Sequence, residues 1–423
     1  MGDMDDVAAQ PSSSSACASP AGPDVRPYGF DAVDPVERAA TGSRKWSREP
    51  STIGAWVAEM DFRSPAPVLE AAAGLVLSSN LGYPTPARTA DAVSATADFL
   101  RDSFGWEVSP EHISLSGDVL SVLMEVISRL TRPGSAVVVP TPAYMPFLSL
   151  PAAEGRPVIQ VPSEPDEDGL YRLDLAGIEA ALQAGAGLVV LCNPWNPVGR
   201  VLSQAELEDL RDVVSKYDAL VFSDEIHSPL VHSCPSAANR HVPYGSLPGT
   251  AAHTVTALAA TKAFNIPALR CAQVVVTDPG LAKRFAVSKR LLSATYSPIG
   301  AAASAAGFRE ARKWLQALNH YIAGNVAAFR REMAKTDLLR TFPVEGTYLA
   351  WVDASELAKY LPADKCVQHV VVKEALVDVN DGQSCGDAFG HYFRVNLATS
   401  RSLVVEIAQR IVRAAQAYGP GGS

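Results

Sequence analysis

Six short apolar runs, at residues 113–116, 136–139, 187–192, 219–222, 255–258 and 272–276, constrain this chain most. Runs of this length bounded by turn residues read as buried strands rather than helices. Stretches of helical spacing separate them, as at 119–130 and 203–217. The second opens with Ser203-Gln204-Ala205-Glu206, the signature of a capping box. Strands alternating with helices predict an α/β fold, with a mostly parallel sheet covered on both faces. Ligands of such sheets bind beyond the carboxyl ends of the strands, so the residues just after each run are the candidates for chemistry.

The pattern changes near residue 309. A long helical stretch at 310–334 precedes strand-like runs at 347–352 and 392–397, and a helix at 404–417 closes the chain. This predicts a second, smaller α+β domain. Residues 67–79 have helical spacing. Residues 31–65 carry Trp46 and Trp56 but no readable period. The expected division is a tail at 1–28, an arm at 29–66 packed on the smaller domain, a large domain at 67–308 and a small domain at 309–423.

Composition excludes several classes. The net charge of −9 over 423 residues leaves no basic excess to displace counterions from a nucleic acid. No basic run suits a membrane surface, and no apolar run is long enough to span a bilayer. The six cysteines show no C-x-x-C spacing, which argues against a zinc site and a disulfide framework and fits a reducing cytoplasm. Cys192 and Cys271 read as small core residues. His227 and His232, five apart, are poorly spaced for one metal. The opening stretch, acidic and then rich in Ser, Ala and Pro, is no signal peptide and reads as a disordered tail.

Lys262 follows the 255–258 run in Thr261-Lys262-Ala263-Phe264-Asn265, with Arg270 eight positions on. An amine in a partly dry cleft loses affinity for its proton and can attack a carbonyl, and an arginine nearby suits a phosphate. Alone, Lys262 reads as a surface lysine after a strand; its setting among the other motifs changes that reading. Asp224 ends the 219–222 run in Ser223-Asp224-Glu225-Ile226-His227. It reads either as a helix cap or as an acid that keeps a pyridinium nitrogen protonated. Asn193-Pro194-Trp195-Asn196-Pro197-Val198-Gly199 makes a rigid polar turn after the 187–192 run. Ser116-Gly117-Asp118-Val119 leads into a helix whose free N–H groups suit a phosphate, although the carboxylate of Asp118 must then turn away. Arg394, in an alternating strand, needs a partner if buried: a substrate carboxylate or an internal acid.

Taken in order, these motifs resemble the fold-type I enzymes of pyridoxal 5′-phosphate (PLP), the class I/II aminotransferase superfamily. Within it they are similar to the cystathionine β-lyase branch typified by MalY and PatB. Gly42-Ser43-Arg44-Lys45-Trp46, Trp56-Val57-Ala58-Glu59-Met60-Asp61-Phe62 and Gly346-Thr347-Tyr348-Leu349-Ala350-Trp351 belong to the same resemblance, which runs from about residue 30 to 417. It implies a seven-stranded sheet in the large domain. It implies that Lys262 forms the internal aldimine, Asp224 pairs with the pyridine nitrogen, and Asn196 and His227 lie near the ring hydroxyl. Tyr144 matches the aromatic on the ring face. Gly117, Asp118, Val119, Thr261 and Arg270 match the phosphate cup. Tyr83 matches a tyrosine that reaches the neighbouring subunit's phosphate, so a homodimer is expected. Arg394 matches the clamp on the substrate's α-carboxylate, and Trp195 and Glu59 fall at the substrate pocket.

The chain departs from the pattern around the cofactor phosphate and pocket rim. Ala259 and Ala260 replace the usual serines, Glu59 replaces an aspartate, and Trp195 replaces a smaller polar residue. The resemblance implies β-elimination from an S-substituted L-cysteine. Transamination and oxidative decarboxylation of an S-conjugated cysteine, as in lincosamide-type pathways, remain open at this point, as does a non-catalytic PLP-binding regulator.

Overall fold

All six apolar runs become strands of one sheet in the computed structural model, which describes residues 22–49, 51–232 and 240–420. In chain order the strands are β1 (Ile113–Ser116), β2 (Val137–Thr141), β3 (Val158–Pro162), β4 (Leu188–Cys192), β5 (Leu220–Asp224), β6 (Thr254–Leu258) and β7 (Ala272–Val275). Their spatial order is β1-β7-β6-β5-β4-β2-β3. The pairs β2–β3, β2–β4, β4–β5 and β5–β6 are parallel, and β7 runs against both neighbours. Strands β2, β5 and β6 are buried along their whole length, which is why they read as continuous apolar runs. The seventh strand, β3, carried no such signal. It lies at the sheet edge, half-exposed, with Gln160 inside it and Pro162 at its end, where a missing N–H is tolerated.

Helix Gln204–Val214 begins with the expected capping box: Ser203 Oγ accepts from the Glu206 N–H, and Glu206 accepts in return from the Ser203 N–H. The 119–130 helix is α-helical over Val119–Glu125 and widens into a π turn over Val126–Leu130. Its N-cap is Asp118. The long helix expected at 310–334 is Arg312–Met333, preceded by a separate helix, Pro298–Glu310, that was not expected. Among the described residues no helix is long and apolar enough to cross a membrane.

A second sheet is antiparallel: β8 (Arg340–Thr341), β9 (Leu349–Asp353), β10 (Asn380–Asp381) and β11 (Tyr392–Asn396), in the order β10-β11-β9-β8. Alternation along β11 sends Phe393 and Val395 into a large apolar cluster, with Trp314, Phe329, Val404 and Ile411, and puts Arg394 on the other face.

The stretch at 30–62, unreadable by period, is held by specific tertiary bonds. Ile53–Gly54 pairs in parallel with Val377–Asp378, and Phe30, Trp46, Met60 and Phe62 enter the same apolar cluster. The buried Lys45 amine and the Trp46 indole N–H both donate to Asp61, each at 2.8 Å. Asn265, in the left-handed region at φ 57°, bonds the backbone of Met60 through both ends of its amide. Gly54 is required because a Cβ there would meet the Lys45 carbonyl oxygen at 2.1 Å. The first 21 residues of the expected tail, with Cys17, and also Cys234, lie outside the described residues.

Candidate active site

Four parallel strands deliver polar residues to one edge of the main sheet. Strand β5 ends at Asp224, β6 runs into the short helix Ala260–Ala263 that carries Lys262, β4 leads to Asn196, and β2 to Tyr144. Strand β1 leads to Gly117 and Asp118. These residues, with Val119, His227, Thr261 and Arg394, line one cavity of about 420 Å³. The arm supplies Trp56, Val57 and Ala58, and β10 supplies Asn380.

The Lys262 amine donates to the Ala58 carbonyl at 2.8 Å, and the Tyr348 hydroxyl donates to the same oxygen at 3.0 Å. Burial lowers the Lys262 pKa to about 8. The charge of Arg394 pushes the same way, and Glu59 and Asp224 oppose it. An accessible fraction of the amine is therefore neutral near pH 7. Asp224 is 4% exposed, and its Oδ1 accepts from the Ile226 N–H at 3.0 Å. Burial raises its pKa to about 7, against that hydrogen bond and with help from the charge of Glu225. His227 is held neutral, its pKa lowered to about 3 by burial and then by Lys262 and Arg394. Its Nδ1 is buried without a partner. Burial raises the Tyr144 hydroxyl pKa, so that group stays protonated.

Arg394 is 2% exposed. One terminal nitrogen donates to Asn196 Oδ1 at 2.9 Å and the other to the Trp56 carbonyl at 2.8 Å, while Nε has no partner. Among the described residues no carboxylate pairs with it. A buried guanidinium without a counter-ion is costly, and the open cavity beside it is where an external carboxylate relieves that cost. Of the two readings of Arg394, the internal salt bridge is therefore absent here.

Asp118 resolves the difficulty its sequence position raised. Its Oδ1 accepts from the Ser121 N–H at 2.7 Å and its Oδ2 from Arg270 at 2.6 Å, so the carboxylate caps the helix and turns from its axis. A Cβ on Gly117 would come within 2.9 Å of the Thr295 carbonyl and 3.3 Å of Arg270. Arg270 stands behind Asp118 and outside the cavity lining.

Besides Arg270, three expected site residues are not brought into this cavity. Trp195 is 2% exposed and belongs to the core: its indole N–H donates to the Pro142 carbonyl at 2.9 Å and its ring meets Tyr171 edge-on. The pocket-wall reading of Trp195 is corrected on that ground. Glu59 lies just outside the lining, accepting from Ser43 Oγ at 3.3 Å, although its charge reaches Lys262. Tyr83 is 94% exposed. Conversely, Cys192, read as core, lines the cavity. Arg44, Trp56, Met145, Ser149 and Asn380 line it without having been singled out as site residues. Arg44 and Trp56 stood inside the quoted motifs, but the irregular arm gave no sign of which way they faced.

A family model for class I and II aminotransferases matches residues 58–411. The chain belongs to that family. It is 31% identical over 369 residues to the cystathionine β-lyase of Corynebacterium glutamicum, covering 87% of this chain and 95% of the relative. It is 30% identical over 389 residues to the cystathionine β-lyase PatB of Bacillus subtilis, covering 89% and 97%. Among solved structures, the PLP-bound C–S lyase of Staphylococcus hominis superposes with a TM-score of 0.82 at 26% identity, covering 92% of this chain and 99% of that one. The membership accounts for the α/β fold and for the position of Lys262 at a strand end.

Proposed function

We propose that this chain is a PLP-dependent carbon–sulfur β-lyase that cleaves S-substituted L-cysteines to a thiol, pyruvate and ammonia. The observation that carries the reading is the cavity itself. A proton-poor amine, a buried acid and a buried guanidinium without a counter-ion face the same space, in a chain 31% and 30% identical to two cystathionine β-lyases.

The residues present fit PLP. Lys262 offers an amine to its aldehyde, Asp224 a carboxyl to its ring nitrogen, and Tyr144 an aromatic face. The unpartnered His227 Nδ1 and the amide of Asn196 suit the polar edge of the ring. Thr261 and the start of the Val119–Glu125 helix would supply donors for the phosphate, and Arg270, outside the lining and held by Asp118, would join them only by leaving that carboxylate. When bound, PLP supplies an electrophilic carbon and a ring that accepts the electron pair left on the substrate's α-carbon.

The chain's own groups do the rest. Arg394 grips the α-carboxylate, and its bond to Asn196 fixes the plane of the grip. That orientation would select which bond at Cα is broken. Lys262 Nζ, neutral in part because it is buried, removes the Cα proton and returns one to the departing sulfur. Asp224 holds a proton at the ring nitrogen.

The cavity is built within one chain, yet Val76, Leu77, Leu81 and Tyr83 stand 51%, 84%, 62% and 94% exposed in one short segment. Exposed apolar residues so grouped support a homodimer that buries them and brings Tyr83 to the partner's phosphate site. The two separate sheets support the division into 67–308 and 309–423, with the 29–66 arm on the smaller unit. Four described cysteines, Cys192, Cys271, Cys366 and Cys385, are free, which suits a reducing cytoplasm.

The test is product analysis with purified holoenzyme and a panel of S-substituted L-cysteines. Pyruvate with free thiol in equal amounts supports the lyase. A keto acid with pyridoxamine phosphate, or carbon dioxide with an aldehyde, replaces it with transamination or decarboxylation.

A further inference from the structure

Three cationic side chains line the active-site cavity: Arg44, Lys262 and Arg394. Lys262 and Arg394 have the tasks given above. Arg44 has none, and among the described residues no carboxylate pairs with it. The neighbouring acids are engaged elsewhere. Asp61 holds Lys45 and Trp46, Glu59 accepts from Ser43, Asp378 takes Arg48, and Asp118 takes Arg270. Among the described residues none of them pairs with Arg44.

Its place is fixed. Arg44 opens the short helix Arg44–Ser47, whose next two residues, Lys45 and Trp46, are buried and bonded to Asp61. Its guanidinium carbon lies 5.4 Å from the centroid of the Trp56 ring. The same tryptophan's carbonyl accepts from Arg394. Both guanidinium groups therefore meet one residue, Arg394 buried at its carbonyl and Arg44 exposed at its ring. The charge of Arg44 is also felt by the Tyr144 hydroxyl on the opposite wall. The cavity lining reaches from the buried Arg394 to the exposed Arg44, so a cysteine conjugate with its α-carboxylate on Arg394 has Arg44 as the remaining cationic group for its sulfur substituent.

Building on the lyase reading, we propose that Arg44 determines specificity at the leaving-group end, and selects S-substituted cysteines whose departing thiol carries a carboxylate. Arginine matches a carboxylate through paired N–H groups, and the Trp56 face beneath it limits the guanidinium's freedom before the ligand arrives. Because Arg44 is solvent-exposed, the selectivity is sensitive to salt.

The experiment measures binding separately from turnover. 3,3′-Thiodipropionate carries both carboxylates and the thioether of such a substrate but lacks the amine, so it binds without reacting. Calorimetric titration of the holoenzyme with this diacid and with its monoamide reads the contribution of the outer carboxylate. The diacid is expected to bind about tenfold more tightly at low salt, as one charge-assisted contact allows. The ratio should shrink in 0.5 M NaCl, fall to about one in Arg44→Gln, and be partly kept in Arg44→Lys. In parallel, kcat/KM is compared for S-(2-carboxyethyl)-L-cysteine and its carbamoyl analogue. A ratio near one in the wild type, or a ratio that survives Arg44→Gln, overturns the assignment, as does failure of the diacid to bind. Selective binding of the diacid with no thiol released from either conjugate upholds Arg44 and overturns the lyase reading. Release of thiol from both conjugates at equal kcat/KM does the reverse.

Discussion

At the scale of single residues, the site depends on ionisable groups held in unusual states. Arg394 keeps its charge in a buried position with no internal acid, which favours ligand binding over stability. Replacing it with leucine should lower kcat/KM at least 100-fold, mostly through KM. The urea midpoint should change little, because two lost hydrogen bonds are offset by relief of a buried charge. Lys262 has a depressed pKa, so its neutral form fills as pH rises through about 8 and not through the ordinary lysine value near 10.5. Apoenzyme mixed with PLP should therefore show a borohydride-trapped adduct on Lys262 whose formation rate climbs between about pH 7 and 9, measured by peptide mass. A rate that climbs only above pH 10 contradicts the burial argument. Residue types at strand ends were legible in the sequence, since a polar group after a continuous apolar run is conspicuous. Trp195 was not: a tryptophan in a polar turn looks like a wall of the pocket until its N–H is found on the Pro142 carbonyl.

At the scale of elements, strands β1, β2, β4, β5, β6 and β7 announced themselves because both of their faces are covered. Edge strand β3 did not, having one half-exposed face and a polar interruption. The arm was illegible for a different reason. Its shape comes from long-range pairs, Lys45 with Asp61 and Asn265 with Met60, and no local period records those. The buried Lys45–Asp61 pair, with Asn396 on the Val57 and Glu59 carbonyls, fastens the segment that presents the Ala58 carbonyl to Lys262. Asp61→Ala should cost about 3–5 kcal/mol in urea unfolding, because it strands a buried ammonium. The double variant Lys45→Met/Asp61→Leu should recover most of that loss. If the single variant is as stable as the wild type, the pair is not what holds the arm.

At the scale of the whole molecule, the exposed segment around Tyr83 bears on assembly. Charging it with Leu77→Glu and Leu81→Glu should leave a folded monomer by sedimentation. That species should hold PLP more weakly than the wild type if Tyr83 completes the partner's phosphate site. An unchanged dimer would place the interface elsewhere. The cavity, meanwhile, is closed by strand β11 near the end of the chain, through the grip of Arg394 on Asn196 and on the Trp56 carbonyl. During synthesis, a nascent polypeptide emerged only as far as residue 380 already displays Lys262, Asp224 and Asn196, yet has nothing with which to seize an amino acid's carboxylate. On the proposed reading, catalytic competence arrives late in translation, and a product truncated before β11 should fail to hold an amino acid's carboxylate even if Lys262 is present.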